Sequence, residues 1–150
     1  MQRSWTQGEF EISTDPARID LLAVHDFLTK SYWAKGIPVE TVRRSIANSL
    51  CFGIYHEGRQ IGFARVVSDL ATFAYLADVF VLEPYRGRGL SRWLMQCILS
   101  HPDLQGLRRW ILLTRDAHAL YSKYGFKPLK SPERYMELHR PDVYEIGKTS

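Results

Sequence analysis

The stretch from Val79 to Arg92, VFVLEPYRGRGLSR, carries the clearest chemical signal in the chain. An apolar strand pattern runs into a turn with two glycines, and an amphipathic helix pattern begins at once at Leu90. The first turn of a helix has N–H groups without internal partners and a partial positive charge. Gly87 and Gly89 leave the backbone bare, while Arg86, Arg88 and Arg92 add full charges. This combination suits a diphosphate anion. A nucleotide-triphosphate loop would end in Gly-Lys-Ser/Thr, which is missing. A dinucleotide fingerprint would need glycine at position 92, where arginine stands, and a parallel strand-helix-strand start near the N-terminus. Two glycines are also compatible with a plain strand-to-helix turn.

Few other residues have spacing that suggests chemistry. Asp78 interrupts the apolar run Leu76-Ala77-Asp78-Val79. Burying an unpaired acid is costly, so it needs a partner such as an arginine, access to solvent, or a task. Cys51 and Cys97 fall inside apolar patterns and read as free buried thiols. No Cys/His cluster has the spacing of zinc ligands, so no metal is expected. The net charge of +4 invites nucleic acid as a partner. The arginines, however, lie in short groups (43/44, 86/88/92, 108/109), and no nucleic-acid reader motif is visible. A small polyanion accounts for the middle group equally well.

Positioning these residues requires a folded core. One hundred and fifty residues, 45% hydrophobic and 13% aromatic, suffice for one domain over residues 1–150. No apolar run reaches the roughly 18 residues of a membrane span. Met1-Gln2-Arg3-Ser4-Trp5 lacks the apolar region of a secretory leader. A cytoplasmic protein without a membrane partner is therefore expected. Alternation suggests a first strand over Glu9–Thr14, and Asp15-Pro16 opens a helical pattern that runs to Lys30. Pro38 suits the first turn of a second helix, Val39–Asn48. Strands Leu50–His56 and Arg59–Ser68 flank the tight-turn pair Glu57-Gly58. A third strand, Phe73–Leu82, begins with an apolar run that suggests burial on both faces. Helix Leu90–Leu99, strand Arg108–Leu113 and helix Asp116–Tyr124 follow, the last closed by Gly125 as a left-handed cap. Arg134–Leu138 alternates as a final strand, and Gly147–Ser150 reads as a loose tail. Hairpins first and crossovers later imply an α+β or mixed-sheet α/β fold.

Arg86-Gly87-Arg88-Gly89-Leu90-Ser91 resembles the Arg/Gln-x-x-Gly-x-Gly/Ala signature of the GNAT acetyltransferases, with Ser91 where Gly or Ala is usual. The lead-in Val81-Leu82-Glu83-Pro84-Tyr85 is similar as well. A second segment, from Ala117 to Phe126, resembles the family's later Ala-x-x-x-Tyr-x-x-x-Gly-Phe element, one helix and one strand downstream. The family commonly has Asn seven residues before that tyrosine, and here the position is Thr114. The resemblance covers residues 50–127 well, and residues 1–49 only in the order of elements.

The resemblance implies a mostly antiparallel central sheet flanked by helices, acetyl-CoA as co-substrate, and transfer of an acetyl group to a primary amine. The acceptor is expected to be a small molecule, because the chain has no spare domain for docking a large one. It implies that the backbone of Val79, Phe80 and Val81 pairs with the pantetheine arm. Arg86, Gly87, Arg88, Gly89, Leu90, Ser91 and Arg92 would then grip the pyrophosphate, with Thr114 nearby. Tyr121 matches the tyrosine that often returns a proton to the leaving thiolate. Asp78 lies near where some members place a carboxylate base. Glu83 reads as a loop residue, and His118 as a surface or capping residue. Tyr32 and Trp33, with Phe73 and Tyr75, would wall the acceptor site. A homodimer is also compatible with the family. Two other readings stay open: a non-catalytic CoA- or nucleic-acid-binding module of the same fold, and a transferase using another acyl-CoA such as succinyl-CoA.

Overall fold

The protein is described by a computed structural model covering residues 2–145. The expected loose tail, Gly147–Ser150, lies outside those residues. The sheet has six strands in chain order: β1 (Ser4–Gln7), β2 (Phe10–Ser13), β3 (Leu50–His56), β4 (Arg59–Ser68), β5 (Phe73–Val81) and β6 (Arg109–Leu112). All neighbours are antiparallel except β5 and β6, which are parallel and joined by a crossover through α3 (Leu90–Ser100). Two helices, α1 (Leu21–Thr29) and α2 (Val39–Ala47), connect β2 to β3, and a short α4 (His118–Ser122) follows β6. The mixed, largely antiparallel sheet is the fold class that the element order implied.

The sheet divides the core in two. On the α3 side, Phe52, Ile54, Ile61, Val66 and Leu76 pack with Leu94, Met95 and Ile98. On the other side, Cys51, Phe63 and Phe80 pack with Val24, Leu28 and Val42 of α1 and α2. Both cysteines are free and buried, and burial pushes each thiol up to about 12.

The third strand is less enclosed than its apolar run suggests. Phe73 is 38% exposed and Tyr75 half-buried, because the α1/α2 cluster covers the far end of this face, around Phe63 and Phe80. The expected single first strand is half of a hairpin. Ser4–Gln7 was hard to read because Trp5 is its one large apolar residue. The helical pattern opened by Asp15 is split. Asp15 caps a one-turn 3-10 helix, Pro16–Arg18, and the side chain of Asp20 then caps α1 by accepting from the Ala23 amide at 3.1 Å. Arg134–Leu138 forms no strand. Pro132 opens a 3-10 turn through Arg134, and Met136 and Leu138 are 97% and 82% exposed. Alternation stabilises a strand only where one face has something to pack against. Among the described residues, no helix is long and apolar enough to cross a membrane.

β5 carries the two irregularities that shape the site. Phe63 pairs with Phe80 and Arg65 with Ala77, so three steps along β5 match two along β4. The extra residue makes a β-bulge, and Asp78 sits there in the left-handed region at φ +54°. On the other side, β5 pairs with β6 only from Phe73 to Leu76, opposite Arg109 to Leu112. Beyond that point no described strand lies against the β6-facing edge of residues 77–81.

Candidate active site

Where β5 ends, the chain passes through a 3-10 turn, Glu83–Tyr85, and enters α3 at Gly89. Gly87 and Gly89 have φ of +79° and +77°, conformations that glycine adopts without a steric penalty. A β-carbon added at either would meet no protein atom within 4 Å. The bare backbone therefore faces open space instead of packed neighbours. Among the described residues, no side-chain cap bond closes the start of α3 at Gly89. Its first amides look into a cavity of about 350 Å³ lined by Val81, Tyr85, Arg86, Gly87, Gly89, Leu90, Ser91, Arg92 and Leu120. A diphosphate fits this donor set: orphan N–H groups, the helix dipole and a rim of guanidinium groups.

The three arginines are not equivalent. Arg86 Nε donates to the Val81 carbonyl at 2.9 Å, fastening the turn to the strand end. Arg88 lies 5.5 Å above the Tyr85 ring. Arg92 is exposed, and its carbonyl accepts from the Tyr124 hydroxyl at 3.1 Å, tying α3 to the segment after α4. Glu83 is an exposed residue of the 3-10 turn.

Thr114 lies in the β6–α4 connection. Its hydroxyl accepts from the Ala117 amide at 3.0 Å and so orients α4, keeping its own proton to donate. Tyr121 is buried on α4, 8% exposed, one residue after cavity-lining Leu120. Its hydroxyl makes no hydrogen bond to a described residue. Burial, followed by the neighbouring Tyr32 and Asp116, pushes its phenol above the usual range. Gly125, at φ +93°, closes this segment as a left-handed residue. His118 is exposed at the start of α4.

Around the bulge the structure gathers residues from four parts of the sequence. Asp78 Oδ2 accepts from Arg65 Nε at 2.8 Å, and its Oδ1 accepts from the Trp33 indole N–H, also at 2.8 Å. The ion pair is well shielded, with side-chain exposures of 18% for Arg65 and 10% for Asp78. Trp33 stands edge-on to Tyr32 at 5.1 Å and near Phe27, which stacks on Phe80 at 3.9 Å. The Tyr32 hydroxyl accepts from the Arg115 amide at 3.3 Å, and the Arg115 guanidinium covers the Tyr32 ring at 3.9 Å. Tyr75 is close enough to feel Asp78: burial first, then that negative charge, raises its phenol. Phe73 lies at the opposite end of β5, and no ring contact joins it to Tyr32 or Trp33 among the described residues.

Sequence reading missed Arg65, Arg115 and Phe27. A signal for Arg65 did exist. Arg65 and Asp78 are lone, opposite charges in two apolar runs, and adjacent strands could pair them.

Comparison with known proteins identifies the family and the fold. Residues 47–128 match the model of the acetyltransferase (GNAT) domain. A Gibberella zeae protein whose name assigns it to the acetyltransferases provisionally is 33% identical, over 81% of this chain and 80% of that one. A Xanthomonas campestris crystal structure described as belonging to the GNAT family superposes with a TM-score of 0.88 at 52% identity, covering 90% of this chain and 96% of that one. A GNAT-family acetyltransferase from Elizabethkingia anophelis with acetyl-CoA bound shares the fold at a TM-score of 0.63 and 15% identity, covering 87% and 88%.

Proposed function

The chain belongs to the GNAT acetyltransferases, and on that premise we propose that it moves an acetyl group from acetyl-CoA to a primary amine of a small molecule. The observation that carries this reading is the uncapped first turn of α3, opening on a cavity at the end of a strand whose outer edge is unpaired. The acetyl-CoA held by the Elizabethkingia relative of the same fold supports the choice of co-substrate.

Bound in this way, acetyl-CoA supplies a thioester at which a C–N bond forms as the C–S bond breaks. The chain's own groups have four tasks. The backbone edge around Val79, Phe80 and Val81, which no described strand covers, offers N–H and C=O groups to an extended arm, as an added strand would use them, although the Val81 carbonyl already accepts from Arg86 Nε. The amides of Gly87, Gly89, Leu90 and Ser91 receive the diphosphate. Arg92 adds charge to that grip from the cavity lining, Arg88 lies outside the lining over the Tyr85 ring and contributes charge from a distance, and Arg86 holds the turn in register with β5. Tyr121 holds the proton that a departing thiolate requires. A phenol is protonated at neutral pH, as a general acid must be, and burial raises its value further. Thr114 keeps a hydroxyl proton to donate at the entry to the same helix. Tyr32 and Trp33 wall the acceptor side, with Tyr75 and then Phe73 continuing along β5 towards solvent.

A thiol-release assay against a panel of amines, with acetyl-CoA and succinyl-CoA side by side, tests the proposal. Release with acetyl-CoA that depends on the amine is expected. CoA binding without turnover for any amine would leave a binding module. Absence of CoA affinity would remove the reading altogether.

A further inference from the structure

Asp78 is held in an unusual way. A non-glycine residue in the left-handed region is strained, and such strain persists only where surrounding contacts impose it. Here the contacts are the Arg65 guanidinium on one carboxylate oxygen and the Trp33 indole on the other. A carboxylate whose two oxygens already accept such bonds is a poor place to deliver a proton, since protonation would weaken both.

The neighbouring loop shows what those bonds achieve. Residues 30–38 connect α1 to α2, and Trp33 ties this loop to β5 through Asp78. One residue earlier, Tyr32 ties it to the β6–α4 connection through Arg115. β5 and β6 stop pairing after Leu76 and Leu112, and the two ties land on opposite sides of the opening that follows. We propose that Tyr32 and Trp33 form a clasp across the gap between β5 and β6, and that Asp78 is a positioning residue that holds Trp33 in it instead of the base that deprotonates the amine. This inference rests on the acetyltransferase reading. The groups facing Asp78 are Arg65 from β4, Tyr75 from β5 and Cys51 from β3. Burial pushes the thiol up to about 12 and raises the phenol above its usual range, so neither changes state between about pH 5 and 9.

Two measurements test the clasp. The first is steady-state kinetics with acetyl-CoA and whichever panel amine gives thiol release. Trp33→Phe and Asp78→Ala should each raise the amine KM by about tenfold, as loss of a shared charge-assisted hydrogen bond would. The double variant should be no worse than either single one. Asp78→Asn keeps an oxygen that can accept from the indole but turns its NH2 toward the Arg65 Nε–H, so it should recover part of the loss and retain the acid limb of the pH–rate profile. Equal inactivity of Asp78→Asn and Asp78→Ala, with that limb gone from the Asn variant, would make Asp78 the base and overturn the proposal. The second measurement needs no acceptor. Of the indole N–H signals from the four tryptophans in an NMR spectrum of the protein alone, the one abolished by Trp33→Phe should move and exchange faster in Asp78→Ala. A signal that stays put overturns the clasp even if no amine reacts. Failure of every amine with that signal moved counts against the transferase reading alone.

Discussion

The glycine turn before α3 and the mouth at the bulge are built on opposite plans. In the turn, backbone amides are left without partners, two glycines keep side chains away, and the space beside them is open. In the mouth, polar groups are paired. Both oxygens of Asp78 are engaged, Tyr32 and Trp33 are each tied down, and Arg65 bonds Asp78 at 2.8 Å and also donates to the Ser49 hydroxyl at 3.2 Å. An unsatisfied donor near a cavity can be satisfied by a ligand, whereas a satisfied one gives rigidity. In the proposed function, the cofactor side would bind through what it lacks, and the acceptor side would orient through what it already holds.

The sharpest way to break this contrast is to fill the turn. Gly89→Glu should cost about hundredfold or more in CoA affinity, since a carboxylate would face the diphosphate. Any L side chain is strained at the Gly89 φ of +77°, at a cost of about 1–2 kcal/mol, but the added β-carbon meets no protein atom within 4 Å, so circular dichroism should show the fold retained at slightly lower stability. Undiminished affinity by calorimetry would detach the turn from the cofactor. Next in size is Tyr121→Phe, expected to lower kcat roughly 100-fold while leaving acetyl-CoA affinity alone. Because burial raises this phenol, the basic limb that it controls should lie above its ordinary value near 10 and vanish in the Phe variant. Unchanged turnover would remove the acid from α4.

Two smaller effects sharpen the comparison. Thr114→Val removes the hydroxyl that receives the Ala117 amide, and a loss of about 1 kcal/mol in urea unfolding is expected. No change in stability would mean that α4 is positioned by packing alone. His101 belongs to neither region and serves as a reference. Its Nδ1 accepts from the Asp103 amide at 3.1 Å, while Nε2 is buried against Trp5 and Phe52 without a hydrogen-bond partner among the described residues. Burial lowers its pKa, so the unfolded chain takes up the proton first as pH falls. Its contribution to stability is complete above about 6.5, the unfolded value, and is lost as pH drops to the lower folded value. Urea midpoints from pH 8 to 5 should therefore slope downward, and less so in His101→Asn.

The same contrast explains what could be read from the sequence. The turn is contiguous, and its glycines and arginines spell out its physics within a few residues. Strands β3 and β4 were legible to the residue because a two-residue turn fixes their register. The clasp was not legible, since Trp33 meets Asp78 across 45 positions and only tertiary packing brings them together. Arg134–Leu138 failed for another reason: alternation tells which face would be buried, but not whether any surface waits to receive it.

The additional residue in β5 also changes how that strand must be counted. Before it, even-numbered Ala74 and Leu76 belong to the α3 cluster. After it, odd-numbered Val79 and Val81 do, and Phe80 passes to the opposite layer. The strand is two short rulers spliced half a period out of step. Removing one residue there would exchange the addresses of three consecutive side chains, so a gap placed one position off in an alignment would assign each of them to the wrong layer.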